Sequence, residues 1–140
     1  MKNDRLFLDT NVVLDFLAER HPFYESVAKI TSLADLGKVT MVSSALSYAT
    51  VDYFLSRAIG AESSKDSLRK FRVISEISGV DESIIDKGLN SEFIDFEDSL
   101  QYFCALQAGC SIIITRNEKD FKKSVLPVMT PDEYLQSLDK

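Results

Sequence analysis

The stretch Arg5-Leu6-Phe7-Leu8-Asp9-Thr10-Asn11-Val12 decides the fold that this sequence predicts. Three apolar residues run directly into a carboxylate, and an apolar run suited to a helix begins at Val12, with Thr10 and Asn11 as candidate caps. This pattern of strand, turn and helix places Asp9 at the carboxyl end of a buried strand, the edge at which open α/β sheets bind ligands. Because an unpaired buried charge is unfavourable, we expect Asp9 to be hydrogen-bonded or to hold a cation.

Length and composition predict one domain over residues 1–140. The chain is 45% hydrophobic and 27% charged, which is ordinary for a globular protein. The sequence has no apolar run near the ~18 residues of a membrane span, and too few apolar residues follow Met1–Arg5 for a signal peptide. Cys104 and Cys110 match no metal-ligand spacing, so we expect reduced, buried thiols. These features predict a cytoplasmic protein without a membrane segment.

Apolar periodicity divides the remaining chain into alternating helices and strands. Strands are predicted at about residues 38–42, 73–79, 111–115 and 128–129. Helices are predicted over residues 12–19, from Pro22 in a first helical turn to Gly37, from Ser43 or Ser44 to Gly60, from Ser63 or Ser64, from Asp81, from Asp95 to Gly109, and from Thr130. The alternation predicts an α/β fold, with a parallel sheet of about five strands flanked by helices.

In this layout three acidic residues converge. Asp9 follows the first strand, Asp98 lies in the first turn of a helix, and Asn117 and Asp120 follow the apolar Ile112–Ile114 strand. Because parallel strands point the same way, the two strand-following sites emerge at one edge of the sheet. Three carboxylates at that edge repel one another unless a cation neutralises them. Oxygen ligands suit Mg²⁺ or Mn²⁺, and neither His nor Cys is present at these positions to favour zinc.

Helix capping explains part of this pattern without any function. Asp95 and Asp98 have the spacing of a cap and an acidic third position, and Asn117 and Asp120 have the same spacing. Carboxylates near a helix N-terminus are stabilised by about 0.3–1 kcal/mol. Capping does not explain why Asp9 ends an apolar strand in the same arrangement.

Three segments resemble the PIN domain family, many of whose bacterial members are VapC-like toxin ribonucleases. They are Leu8–Val12, Asp95–Gln101 and Ile114–Phe121, and the resemblance extends to the closing segment Pro127–Pro131. It implies a PIN-like parallel sheet flanked by helices and cleavage of RNA that depends on Mg²⁺ or Mn²⁺. The implied products carry a 5′-phosphate and a 3′-hydroxyl.

The resemblance also implies roles for single residues. The family's first Asp falls on Asp9, its helix-borne Asp on Asp98, and its final motif on Thr115, Asn117 and Asp120. It follows that Asp9, Asp98 and Asp120 are the expected metal ligands. Thr115 and Asn117 are expected to hydrogen-bond those ligands or water bound to the metal.

One position departs from the family. The Glu that most members carry early in the helix after the second strand corresponds to Thr50, counted from Ser44. Threonine cannot supply an anionic ligand. Asp52 is a poor substitute, because it is turned about 200° from Thr50 around the helix. Glu97 is also a poor substitute, because it is turned about 100° from Asp98. An attenuated or inactive nuclease is therefore an alternative.

The net charge of −6 bears on the partners. It argues against nonspecific binding of nucleic acid, whose affinity comes largely from neutralising phosphates, but it permits a local basic patch. Arg116 is the candidate contact to an RNA phosphate, with a salt bridge as its alternative. Further cations could extend an RNA track or simply be solvated: Lys65, Arg69, Arg72, Lys119, Lys122 and Lys123.

The resemblance implies protein partners as well. A toxin role implies an antitoxin that covers or enters the acidic groove. The family often forms homodimers, and aromatic residues could contribute to such a surface or pack in the core: Phe16, Phe23, Tyr24, Tyr53 and Phe54.

Three functions therefore stand at this point. The leading hypothesis is a metal-dependent endoribonuclease. The alternative is a catalytically impaired PIN-fold protein that binds RNA or acts as a scaffold. A phosphohydrolase resembling haloacid dehalogenases would also place an Asp after its first strand, but Asn11 occupies the position of its second acid.

Overall fold

The computed structural model of the chain describes residues 3–139, so Met1, Lys2 and Lys140 of the predicted domain lie outside the described residues. The described chain forms a five-stranded sheet in the order β3-β2-β1-β4-β5, with every adjacent pair parallel. The strands are β1 (Asp4–Leu8), β2 (Val39–Ser44), β3 (Ser75–Ser78), β4 (Ile112–Ile114) and β5 (Val128–Met129). The predicted α/β class and parallel sheet are confirmed.

Helices follow the strands along the chain. They are α1 (Thr10–Leu17), α2 (Tyr24–Asp35), α3 (Ala45–Ile59), α4 (Ala61–Ile74), α5 (Glu82–Leu89), α6 (Phe96–Gln107) and α7 (Pro131–Ser137), with a short 3-10 helix at Glu118–Phe121. Among the described residues, no helix combines the length and the apolar character needed to cross a membrane.

The central strand β1 is covered by apolar side chains on both faces. Leu6 and Leu8 belong to a core cluster with residues of α1, α2, α3, α4 and α7, whereas Phe7 belongs to a cluster with residues of α5 and α6. All three side chains are fully buried. Since β1 pairs with both β2 and β4, Asp9 ends the middle strand of the sheet.

The register of the sheet brings two polar residues together at its carboxyl edge. Leu8 pairs with Ile114, so Asp9 and Thr115 follow neighbouring strands at the same level. The backbone N–H of Asp9 donates to the Ile114 carbonyl oxygen at 2.9 Å, which extends the ladder by one residue. The Thr115 side chain therefore lies beside the Asp9 carboxylate.

The first two helices begin differently from the prediction. Asp9, rather than Thr10 or Asn11, caps α1, because its side chain accepts a hydrogen bond from the Thr10 N–H. The α2 helix begins at Tyr24, so Pro22 lies in the preceding turn and not in the first helical turn. Asp, Thr and Asn are all good N-cap residues, so the sequence alone does not decide which of Asp9, Thr10 and Asn11 caps α1. The folded structure places Asp9 in that position.

The α4 helix also begins earlier than predicted. It starts directly after Gly60, whose positive φ of 91° lets α3 and α4 meet without a longer loop. Neither Ser63 nor Ser64 caps it. Ser64 is buried and donates instead to Asp52 at 2.7 Å. Because α4 continues through residue 74, β3 is shorter than the predicted strand at 73–79.

Other local predictions are confirmed. Cys104 and Cys110 are buried free thiols. Four predicted caps each accept a hydrogen bond from the N–H three residues later, and the last of them completes a capping box with Glu133: Ser44, Asp81, Asp95 and Thr130.

Gly88 sets the distance between α5 and α6. A Cβ atom there would lie 2.8 Å from the Ser99 hydroxyl oxygen and 2.9 Å from Leu100 Cδ2. We expect Gly88→Ala to lower the free energy of unfolding by about 1–3 kcal/mol, despite the better helix propensity of alanine. Gly79→Ala is the control, because a Cβ there would meet nothing within 4 Å. Urea unfolding that gives both variants equal stability would contradict close packing at Gly88.

Candidate active site

Asp9 is a buried carboxylate held by the ends of two strands. Its side chain is 6% exposed. One carboxylate oxygen, Oδ1, accepts a hydrogen bond from the Thr10 N–H at 2.9 Å, and Oδ2 accepts one from the Thr115 hydroxyl at 2.8 Å. The Thr115 oxygen in turn accepts the N–H of Asn117 at 3.1 Å. Asp9, Thr115 and the backbone of Asn117 therefore form a continuous hydrogen-bonded chain, whereas the role predicted for the Asn117 side chain stays a prediction.

A second polar network reaches Asp9 from the helices. Gln101 Nε2 lies 2.7 Å from the Thr10 hydroxyl, 3.0 Å from the Ser47 hydroxyl and 3.5 Å from Asp9 Oδ1. The Ser47 and Thr10 hydroxyls are themselves 2.7 Å apart. Gln101 and Ser47 are both buried, and within residues 3–139 the Gln101 Oε1 atom has no hydrogen-bond partner.

This network was not predicted from the sequence, although two spacings indicate it. Gln101 follows Asp98 by three positions on one helix, so both side chains face the same edge. Ser47 follows the α3 cap Ser44 by three positions, and its N–H donates to the Ser44 hydroxyl oxygen. Thr50 lies another three residues along α3 and is partly buried. Ser47 of α3 therefore places a neutral hydroxyl against the Thr10 and Gln101 side chains next to Asp9.

The two other predicted ligands share a cleft. It is lined by nine residues and is called the Asp98 cleft below: Glu92, Phe93, Ile94, Asp95, Asp98, Lys119, Asp120, Lys122 and Lys123. The Asp98 side chain is half-buried and Asp120 is exposed. The 3-10 helix that carries Asp120 packs on α6, which carries Asp98.

The capping explanation holds for one of the two acidic pairs. Asp95 Oδ1 accepts the Asp98 N–H at 2.9 Å, so Asp95 caps α6 and the Asp98 carboxylate remains available. Asn117 precedes the 3-10 helix but its side chain makes no capping hydrogen bond. The helix end therefore accounts for Asp95 as the cap and for Asp98 as an acid of the first turn, whereas the Asn117 side chain is not used as a cap.

The carboxylates act on one another electrostatically. Burial, followed by the charges of Asp95, Asp120, Asp9 and Glu97, raises the pKa of Asp98 to about 7. Burial also raises the pKa of Asp9, with smaller contributions from Asp120 and Glu97, while the hydrogen bonds from Thr115 and Thr10 oppose the rise. Asp9, Asp98 and Asp120 therefore lie within range of one another's charge, and their role as metal ligands stays a prediction.

These carboxylates have the donor chemistry of a hard-cation site. In the part of the chain from residue 3 to 139, no Lys or Arg forms an ion pair with Asp9, Asp98 or Asp120. Over the same residues, no three His, Cys, Asp or Glu side chains form a ready-made metal-ligand group. The site consists of neighbouring oxygen donors without a closed ligand set. This donor set fits Mg²⁺ or Mn²⁺ in chemistry rather than in prearranged geometry.

Arg116 is held by contacts within the protein. Its guanidinium donates to the wholly buried Asp15 carboxylate at 2.6 Å and 3.3 Å and lies 4.0 Å from the centre of the Phe23 ring. Arg20 donates to the same carboxylate at 3.0 Å. The salt bridge that was the alternative for Arg116 is present, although a phosphate contact by the exposed part of the side chain stays a prediction.

The remaining cations and aromatics are spread over other surfaces. Arg69 pairs with Asp66 on α4, and Arg72 donates to the Ser75 carbonyl oxygen at 3.2 Å. Neither these two residues nor Lys65 lines the Asp98 cleft. Tyr53 and Phe54 are about half exposed, whereas Phe16 packs against Tyr24 and Phe71. A homodimer through these aromatics stays a prediction.

Comparisons with known proteins agree on one fold. A family model described as a PIN domain matches residues 5–119. Ribonuclease VapC1 of Aquifex aeolicus is 26% identical over 141 residues, which cover 97% of this chain and 96% of that protein. The structure of VapBC2 from Rickettsia felis, bound to a DNA fragment from its promoter, has a TM-score of 0.67 at 19% identity and covers 89% of this chain and 96% of that chain. A toxin–antitoxin complex from Klebsiella pneumoniae has a TM-score of 0.66 at 19% identity. The match covers 90% of this chain and 97% of that chain. At these identities the solved structures show a shared fold.

The raised pKa of Asp98 makes a prediction for stability. A carboxyl whose pKa rises on folding binds a proton more tightly in the folded state, so stability falls as the pH rises from about 4 towards about 7. Asp98→Asn removes this effect. In the presence of a chelator, we expect the variant to match the wild type near pH 4 and to exceed it at pH 8 by about 1–2 kcal/mol, because Asp98 is only half-buried.

Glu62→Gln provides the control for this measurement, since Glu62 is an exposed acid in the first turn of α4. Chemical unfolding at pH 4, 6 and 8 measures the difference between each variant and the wild type. A stability difference for Asp98→Asn that does not change with pH would contradict the raised pKa.

The ion pair of Arg116 predicts a structural role. Arg116→Gln leaves the buried Asp15 carboxylate with Arg20 alone, so we expect a loss of about 1–3 kcal/mol, less than for a fully buried pair because Arg116 is partly exposed. Arg57→Gln is the control, because Arg57 lies over the exposed Tyr53 ring and its loss is expected to stay within about 0.5 kcal/mol. Equal stabilities in thermal unfolding would show that the Asp15 pair does not stabilise the fold.

Proposed function

This chain belongs to the PIN domain family, and from that premise we propose that it is a divalent-metal-dependent endoribonuclease, the toxin of a toxin–antitoxin pair. One observation carries the proposal. Asp9 is buried at the carboxyl end of the central strand and is held there by Thr115, within range of the charge of a second carboxylate, Asp98, whose pKa is raised by its own burial first and then by neighbouring acids. Such an arrangement opposes folding and is typical of functional sites.

The proposed metal ligands are Asp9, Asp98 and Asp120. A bound Mg²⁺ or Mn²⁺ ion would supply positive charge that offsets the negative charge developing on the phosphate during cleavage. PIN-domain ribonucleases of this kind generally use a divalent metal, which supports this choice. Asp120 is exposed, so it is free to approach the other two carboxylates or to act through water.

Neutral residues would position these ligands. Thr115 and the Thr10 N–H fix the two oxygens of Asp9, and the Asn117 N–H fixes the Thr115 hydroxyl. Supporting hydrogen bonds of this kind orient a ligand and set its basicity. Without a cation, Asp98 is partly protonated near neutral pH, because its pKa is raised to about 7.

The partners follow from the relatives. The matching protein of Aquifex aeolicus is named a ribonuclease, which supports RNA as the substrate. The structural neighbours include a toxin–antitoxin complex, which supports an antitoxin protein as the partner. The carboxyl edge of the sheet, where the acidic residues lie, is the surface that such a partner would cover.

A second function is favoured by two observations. The acidic position of the family is occupied by Thr50, and within residues 3–139 the acids do not form a ready-made ligand group. These features are expected of a PIN-fold protein that binds RNA or acts as a scaffold without cleaving. The scaffold is expected to bind metal more weakly than the nuclease and not to cleave RNA.

Cleavage of RNA tests the nuclease directly. Wild type, Asp9→Asn and Asp98→Asn are incubated with Mn²⁺ and with structured and single-stranded RNAs. We expect each variant to lose at least about 100-fold in rate, since loss of supporting residues alone typically reduces activity 10–100-fold. Glu97→Gln, next to Asp98 on α6, is the matched control and should retain activity. Equal rates in all four proteins would end the proposal.

Calorimetric titration with Mn²⁺ separates the two functions. Micromolar binding that is lost in Asp9→Asn supports the nuclease. Millimolar or undetectable binding, together with the absence of cleavage, supports the scaffold.

A further inference from the structure

The Asp98 cleft has a cationic side that the metal site does not use. Lys119 and Lys122 line it from the 3-10 helix and the residue after it, next to Asp120 and facing Asp98. Both lysines are exposed, and within the described residues neither forms an ion pair. Lys123 differs, because its ammonium group lies 3.4 Å from Glu92. Two unpaired cations therefore lie beside the acidic residues.

The other cations proposed for RNA contact are less suitable. The Arg116 guanidinium is bound to Asp15 and stacked on Phe23, so using it for a phosphate would break contacts that the fold already makes. Lys65 and Arg69 lie on α4 and line no part of the cleft. Among these candidates, Lys119 and Lys122 combine free charge with proximity to Asp98 and Asp120.

We propose that Lys119 and Lys122 bind the RNA phosphates that flank the cleavage position, and that the Asp98 cleft accepts unpaired RNA. This inference rests on the proposed nuclease function. The protein carries a net charge of −6, so a phosphate chain approaches the acidic site only where local cations offset the repulsion. Because Lys119 adjoins Asp120 in sequence, contact with a phosphate also positions the RNA against a proposed metal ligand.

The apolar side of the cleft supports unpaired RNA. Phe93 packs against Tyr102 and Phe121 and forms a fixed apolar part of the lining, while Ile94 is fully exposed beside it. An exposed apolar surface next to lysines suits bases that have left the helical stack, since proteins bind single strands by combining phosphate contacts with apolar contacts to bases. A base-paired helix would present only its phosphates to this surface.

Binding, rather than cleavage, tests this inference. Asp98→Asn serves as the common background so that the RNA stays intact, and a fluorescein-labelled 12-nucleotide single strand is titrated at 50, 100 and 200 mM KCl. We expect Lys119→Gln with Lys122→Gln to weaken binding about tenfold at 100 mM and to reduce the slope of log affinity against log salt by about 1.4, because each contact to a single strand contributes about 0.7. A duplex of the same length is expected to bind more weakly than the single strand in the background protein.

Two matched pairs make the result specific. Lys119→Arg with Lys122→Arg preserves the charge and should keep the affinity and slope. Lys38→Gln with Lys70→Gln removes the same charge from exposed positions outside the cleft and should change the affinity less than about twofold. Equal losses from the two glutamine pairs, or no loss from the cleft pair, would overturn the inference.

The outcomes also separate this inference from the proposed function. If the wild type does not cleave RNA but binding still depends on Lys119 and Lys122, the nuclease proposal fails and the phosphate contacts stand. If the wild type cleaves RNA and binding is insensitive to both lysines, only the present inference fails. Tighter binding of the duplex than of the single strand would overturn the part that concerns unpaired RNA.

Discussion

The hydrogen bond from the Thr115 hydroxyl to the Asp9 carboxylate depends on the register of the central strand pair. With Leu8 opposite Ile114, the residues that follow β1 and β4 emerge side by side, and a shift of one residue would turn Thr115 to the other face of the sheet. The bond is short, at 2.8 Å, and lies in a buried setting where an unpaired carboxylate is unfavourable. The fold and the acidic site are therefore fixed by the same pairing.

Burial of charge makes the acidic site a source of instability in the fold. Asp9 lies at the end of the strand that both hydrophobic clusters cover, so its negative charge acts through a medium that screens it poorly. The pKa of Asp98 is raised by its own burial first and then by the charges of Asp95, Asp120, Asp9 and Glu97. A site made only for stability would carry an amide or hydroxyl at one of these positions, because neutral groups could form the same hydrogen bonds without repulsion.

Features that depend on local patterns were predictable from the sequence. Strand–helix alternation gave the parallel sheet, and residue types at helix starts gave the caps at Ser44, Asp81, Asp95 and Thr130. Convergence of Asp9 with the residues after β4 followed from the direction of parallel strands. These inferences need only spacing and the rule that ligands gather at the carboxyl edge.

Contacts between distant segments were not predictable in the same way. Gln101 meets Ser47 across 54 positions, and Arg116 meets Asp15 across 101 positions. Each contact depends on how helices pack on the sheet, which the period of one helix does not specify. The start of α4 directly after Gly60 is a similar case. Ser64 was available as a cap, but its hydroxyl donates to Asp52 on α3 instead. The sequence therefore predicts the helices and strands better than it predicts which distant side chains contact one another.

The charges around Asp9 are distributed unevenly. This bears on the number of metal ions that the proposed nuclease would bind, because the resemblance to the family implies an acid where this chain has Thr50. On one side Asp9 lies near neutral groups, namely the Gln101 amide of α6 and the Ser47 hydroxyl of α3 to which that amide donates. Towards the 3-10 helix, it faces the charges of Asp98 and Asp120. A cation near Asp9 would therefore be drawn to the second side, where three carboxylates are within range and a single divalent ion offsets most of their charge. An acid at position 50 would add a fourth negative charge and a reason for a second ion. In the proposed nuclease, we therefore expect threonine at this position to favour one metal over two, on the side of the site near Asp98 and Asp120.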